Sequence, residues 1–426
     1  MGETTLPARP PPSASTGVRF EGMNRVLAAL ASVGLLAAAC TGESDGPSEP
    51  APSVDVLPGV PTGMRLLVLT EDGTVLTTAP DGGSRVVLRQ GGALDVEARQ
   101  PVWAPDGQTV AWVEVGTGGP AGASQLVTSH PDGTGHREVR VDTGMFFLGW
   151  DPTSSRVAYL GSYQGGIGMG IAEPGATGGP SARTLGVGQP FYVSWSPEGD
   201  GLLVHVGSET LWQIDLDGNL TPVGDAPGVF HAPVWLPDGR LIYAVAEGKR
   251  QSLVVRRGDR TSELVRFRGA IEFVVSPDAE HVAYRVDEDD RLGSVRVVDV
   301  RSGRSERVSD LPVTAFQWSP DGRRLLLMTL EESGDPTSHR WQVWDGGGAR
   351  TVGPTFLPSP TYLRDYVPFF GQYAQSMTLW SPDGRSFAFP GLIEGRAGIW
   401  VQELDAEEPT FVVEDGSVVA WSPVEL

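Results

Sequence analysis

Six histidines, one cysteine and 53 acidic side chains are the groups with which this 426-residue chain could do chemistry. The histidines, at positions 130, 136, 205, 231, 281 and 339, are scattered. No two stand at the H-x-x-x-H or H-E-x-x-H spacing that sets a pair of imidazoles on one helical face for zinc. No metal site and no cofactor are therefore expected. Two acidic stretches, Asp287–Asp290 and Asp215–Gly218, could touch calcium, yet neither continues as an EF-hand-like loop, and acidic turns of this kind are ordinarily solvated. There is no G-x-S-x-G nucleophile elbow. The Gly-rich stretches Gly116–Ala123 and Tyr163–Gly170 lack the G-x-x-x-x-G-K of a phosphate loop, as does Glu331–His339. The remaining chemistry is a pair of carboxylates a few ångströms apart, as in glycosidases. Asp365 is the acid to watch, but no catalytic residue can be named.

The single cysteine, Cys40, excludes an internal disulfide and a Cys-based zinc site. Its surroundings are informative. Arg25 precedes the fourteen-residue run Val26–Ala39, which ends at Cys40 and is followed by T-G-E-S-D-G. A positive n-region, a short apolar h-region and small residues before the break make a secretory signal over residues 1–39. The run is too short for a comfortable membrane span. The Pro-rich opening upstream of it points to Met23 as an alternative start. The small residues and the cysteine after them resemble the lipobox of bacterial lipoproteins, although Ala37 stands where that family prefers Leu. The resemblance implies lipidation of Cys40 and a protein exported to the outer face of the cytoplasmic membrane or cell envelope. Residues 40–62 would then be the lipidated cysteine and a disordered Pro/Ser/acidic tether, about 20 residues long and on the order of 25 Å end to end. Membrane contact is expected through this lipid only. With a net charge of −21 and basic residues that do not cluster along the chain, nucleic acid is a poor partner.

The elements that must position any site are written in a repeat. From residue 63 to 426, Trp103, Trp150, Trp195, Trp235, Val275, Trp318, Trp380 and Trp421 recur at gaps of 47, 45, 40, 40, 43, 62 and 41 residues. Several are followed by S-P-D-G or a variant of it. Four strand-like runs per unit at a period of 40–45 predict a single all-β propeller of four-stranded antiparallel blades. In Ser319–Gly322 the proline fixes φ and the glycine supplies a positive φ, so a type I turn closed by a bulge is expected between two strands. The tryptophans are read as structural, filling the gaps between blades. Residues 64–90 supply three strands and Ser417–Pro423 one, which together complete a blade and close the ring. Counting this composite gives eight blades, or seven if the Val275 unit is irregular.

W-S-P-D-G followed by a strand, and then a strand ending D-x-D-G, resembles the TolB-type propeller repeat over nearly all of Met64–Leu426. That repeat belongs to envelope propellers and to the non-catalytic domain of prolyl oligopeptidases. The α/β domain that precedes the propeller in TolB has no counterpart in the sequence, so TolB's function is not carried over whole.

The 62-residue gap holds an aromatic insertion, residues 353–377, expected in an inter-blade loop on the ligand-binding face. Phe356, Tyr362, Arg364, Asp365, Tyr366, Phe369, Phe370, Gln372 and Tyr373 form the candidate binding loop. Some actinobacterial TolB-like proteins carry a similar F-F-D-Q-Y-A-x-S-H here, and this chain has Gly371 and Met377 in place of its Asp and His. Two roles are open for the segment: a plug of the central channel, or a ledge for an envelope protein, peptide or glycan. The expectation is a monomeric, non-catalytic binding or scaffold module. The alternative is an envelope glycosidase or lyase working in the channel, for which acids or arginines should converge on the axis.

Overall fold

The computed structural model of the protein describes residues 63–425, apart from 93–95, 117–122, 164–165, 177–180, 189–190, 208–209, 230, 249, 288–290 and 332–337. Cys40, the signal segment and the tether lie outside the described residues. Among the described residues no helix is long and apolar enough to cross a membrane.

The repeat units fold as antiparallel sheets in chain order. Among the described residues six sheets have four strands each, and a seventh with seven strands combines the Trp318 and Trp380 units. One of the six joins the chain ends: Leu66–Thr70 pairs with Gly416–Trp421, with Leu66 opposite Trp421. The sequence-level reason for the hairpins is visible at Ser319. Its N–H donates to the Arg324 carbonyl (2.8 Å), Gly322 N–H returns to the Ser319 carbonyl (2.9 Å), and Gly322 has φ +68°. The Ser319 hydroxyl also accepts from Arg324 N–H. The closing junction is the same turn cut open. Ser422 N–H donates to the Arg65 carbonyl (2.8 Å), and Arg65 N–H donates to Ser422 Oγ (3.3 Å).

Two units that lose the glycine of S-P-D-G keep the turn. In V-S-P-D-A the fourth position is Ala279 at φ +58°, and in W-D-P-T-S-S it is Ser154 at φ +58°. A left-handed non-Gly residue costs about 1–2 kcal/mol. Replacing Ala279 with Gly should therefore raise the stability of the protein by about 1 kcal/mol, less the extra chain entropy glycine brings. Paired urea melts check this, and an unchanged or lower midpoint would remove the strain assigned to Ala279.

The tryptophans join one unit to the next. The indole N–H of Trp103 donates to the Ala420 carbonyl, Trp195 to Gly149, Trp318 to Val274 and Trp380 to Gln317, at 3.0–3.3 Å. Each acceptor sits one residue before the repeat position of the preceding unit. The ring thus buries its apolar face between sheets while its one donor finds a backbone acceptor. Trp380 and Trp421 are fully buried, and Trp103, Trp150 and Trp318 nearly so. Trp195 and Trp235 are half-buried.

Candidate functional site at the ring axis

The segment behind the long gap departs from the inter-blade loop expected of it, because it interrupts a strand. The strand Ala349–Pro358 carries residues 353–358, including Phe356, whose ring stacks on Trp341 (5.4 Å, 12° between planes) within its own sheet. Its last residues cross to the final unit, with Leu357 opposite Leu392 and Pro358 opposite Gly391. Ser359 N–H then bonds to the Pro390 carbonyl. The chain returns at Leu379, whose carbonyl accepts from Ala388 N–H, and at Trp380, bridged to Phe387. In this register Ser359 lies opposite Pro390 and Thr378 opposite Phe389, so residues 360–377 are inserted into one continuous inner strand. Without those 18 residues the gap of 62 becomes 44, the ordinary period of the repeat.

The insert opens with a well-formed helix start. Ser359 Oγ accepts from Tyr362 N–H, Pro360 occupies the first turn, and the helix Pro360–Asp365 follows. The same hydroxyl donates to the Ser417 carbonyl (2.7 Å), which fixes the exit from the strand. A single 3-10 turn, Val367–Phe369, leads into the short helix Phe370–Tyr373.

From there the insert reaches inner strands all round the ring. The Gln372 side chain makes two bonds to Val193: it accepts from the backbone N–H at 2.9 Å and donates to the carbonyl at 2.8 Å. Gln375 donates to the Pro233 carbonyl. The Gln317 amide holds the return segment, donating to the Met377 carbonyl and accepting from Leu379 N–H. Phe370 meets Phe316 edge to face (4.7 Å), and Tyr373 packs on Phe147 (5.6 Å) and Tyr366 (4.6 Å). Gly371 sits in tight quarters. A Cβ there would lie 3.0 Å from the His231 ring and 3.3 Å from the Phe273 carbonyl oxygen, so the Asp of the resembling proteins would require the His231 ring to shift.

Tyr362, Tyr366, Phe370, Gln372 and Tyr373 are all buried. Burial pushes the phenols of Tyr362, Tyr366 and Tyr373 well above their usual range. The space left between the insert and the strand Val313–Trp318 is about 30 Å3, room for a water molecule and not for a sugar ring. The exposed candidates are Phe369 (46%) and Arg364, the latter ion-paired at 2.7 Å with the half-buried Asp365. Thr361 and Arg364 also approach Glu71, whose carboxyl is nonetheless raised, first by burial and then by Asp415.

Sequence reasoning left out a cluster beside the insert. His231 Nε2 lies 2.8 Å from Glu272 Oε2, its ring stacks on Phe273 (4.4 Å), and Tyr192 lies over it at 6.1 Å. His205 Nδ1 lies 3.0 Å from the His231 carbonyl oxygen. The two histidines stand 26 residues apart in the chain, which no metal-ligand spacing would flag. A usable signal does exist: Tyr192 and Glu272 each stand three before a repeat position, as do Gln100 and Phe147, and all four line the axis. Among the described residues no group of three or more His, Cys, Asp or Glu side chains is arranged to hold a metal.

No protein-family model matches the chain, and no curated protein matches it. Solved structures do. A eukaryotic initiation factor aligns over 86% of this chain and 100% of that chain, at 12% identity and a TM-score of 0.54. An oligogalacturonate lyase in complex with manganese aligns over 80% and 98%, at 12% identity and a TM-score of 0.51. TolB from Acinetobacter baumannii aligns over 72% and 81%, at 14% identity and a TM-score of 0.38. The fold is a β-propeller. At these identities the likeness extends to the propeller alone, and the use made of its axis must be read from this chain. In this propeller the axis is occupied by the chain's own aromatic residues.

Proposed function

We propose that the protein is a non-catalytic binding or scaffold module of the cell envelope. It is exported, held at the membrane by a lipid on Cys40, and meets an envelope protein, peptide or glycan through the rim of its axial insert. The observation that carries this reading is the filled axis. Residues 360–377 spend their aromatic side chains on the interior and leave Phe369, Arg364 and Asp365 outward, a shape suited to contact and poorly suited to enclosing a substrate. A second reading, an envelope glycosidase or lyase, is favoured by one observation, the His231–Glu272 pair beside the axis.

The test compares crosslinked capture from the native envelope by the intact protein and by a chain lacking residues 360–377. Because Ser359 and Thr378 are consecutive in register, the deletion joins one strand, and the variant should fold as a propeller with a hollow axis. Capture of a partner by the intact protein alone supports the rim as the binding surface. The same set of partners from both chains, or glycan cleavage that appears when the insert is removed, would overturn it. A Cys40→Ser chain run alongside should leave the membrane fraction, and its full retention would exclude the lipid anchor.

A further inference from the structure

Contrary to the even spread of basic residues expected from the sequence, positive charge is concentrated on one hairpin. Residues 250–268 hold six of the 32 lysines and arginines and two acids, a net +4 in a chain of net −21. They form the two outermost strands of one sheet, Arg250–Arg257 and Arg260–Phe267, each eight residues long. Arg257 and Arg260 stand directly opposite each other, a pairing that costs stability unless something else needs it. Arg256, Arg257 and Arg266 are partly offset by Asp225, Asp238 and Glu263. Arg250, Arg260 and Arg268 are exposed and enter no salt bridge among the described residues. On the same hairpin lies a recess of about 210 Å3, lined among others by Arg250, Arg266, Ser252, Thr261, Glu247 and Glu263.

We infer that this hairpin is a docking surface for an anionic membrane, and that its recess takes the glycerophosphate headgroup of an anionic lipid. Arg250 meets the phosphate and the Thr261 hydroxyl can donate to its oxygens, while Ser252 donates to Glu263 (2.7 Å) and Arg266 pairs with the same carboxylate (3.0 Å). Glu247 and Glu263 accept from the hydroxyls of a glycerol, which separates this headgroup from a bare phosphate. The inference rests on the proposed anchoring, since residues 40–62 would hold the propeller within tens of ångströms of the lipid surface, where each basic residue adds to binding. It adds a second membrane contact to the lipid on Cys40.

The experiment uses the processed chain from residue 40 with Cys40→Ser, so that no lipid contributes, and measures co-sedimentation with vesicles. Binding is expected to phosphatidylcholine vesicles containing phosphatidylglycerol, with strong weakening by salt, and not to phosphatidylcholine alone. Arg250→Glu, Arg260→Glu and Arg268→Glu together should weaken it by about 100-fold. Equal binding by the triple variant, or by neutral vesicles, would overturn the inference. So would a triple variant that self-associates while binding vesicles normally, because the arginines would then be guarding an exposed strand edge. Full competition by soluble glycerophosphate at low concentration would assign the recess to a free anion and remove the membrane assignment. With the anchor absent, failure here leaves the reading of Cys40 and of the insert untouched.

Discussion

Truncating Tyr373 to Ala should destabilise the protein by about 3–5 kcal/mol, the range for loss of a buried aromatic ring. Tyr373 is the residue on which the insert converges. It is 6% exposed, packs against Phe147 from another sheet and against Tyr366 from its own segment, and has Gln100 beside its hydroxyl. Its removal leaves a cavity at the axis that the surrounding sheets cannot readily close, because tryptophan bridges tie several of them to their neighbours. Tyr373→Phe separates the two contributions. It keeps the ring and gives up the hydroxyl, and should cost about 1 kcal/mol or less. Chemical denaturation of both variants checks this. A Tyr373→Ala midpoint within error of the wild type would mean that the insert merely rests on the axis. The insert would then add little to stability, and deleting residues 360–377 should be equally harmless.

Acid should weaken the fold through His205. Burial holds its imidazole down at about pKa 4, against the usual value near 6.5, and the hydrogen bond with the His231 carbonyl offsets this only in part. A buried neutral histidine lets the unfolded chain bind a proton that the folded chain refuses. The stability is therefore fully present above pH 6.5 and is lost as the pH falls from there towards 4. Between pH 7 and pH 4.5 the loss from this group should be about 2 kcal/mol. A His205→Gln variant should be less stable than the wild type at neutral pH but should show a shallower fall over that window. Parallel slopes for the two chains would assign the acid sensitivity to other groups.

How much of this was legible beforehand depended on whether the signal was local. The turn at Ser319–Gly322 could be read from four residues, because proline and glycine dictate backbone angles wherever they stand. The same rule carried over to Ala279 and Ser154, where the turn survived the loss of glycine and kept the positive φ as strain. The insert was visible as an excess of aromatic residues and an over-long gap. Its place within a strand was not, because only the pairing of Pro358 with Gly391 and of Trp380 with Phe387 reveals the interruption. Ser359-Pro360 was a readable helix start that the aromatic content overshadowed. Phe356 looked like part of the loop, yet its ring belongs to the stack with Trp341 and Phe389.

The sequence by itself determined the four-stranded unit and the joining of the two chain ends, since each follows from periodicity and turn chemistry. Tertiary structure alone decided what stands at the axis. Tyr192 and Glu272 come from the inner strands of two different sheets, His205 from a second strand and His231 from the segment before Val234, and the insert meets this group at Gly371. Each unit contributes one or two side chains to the axis, and their distances from one another are set by the packing of whole sheets. A periodic sequence states what each unit is, but only the closed ring states which residues face one another across it.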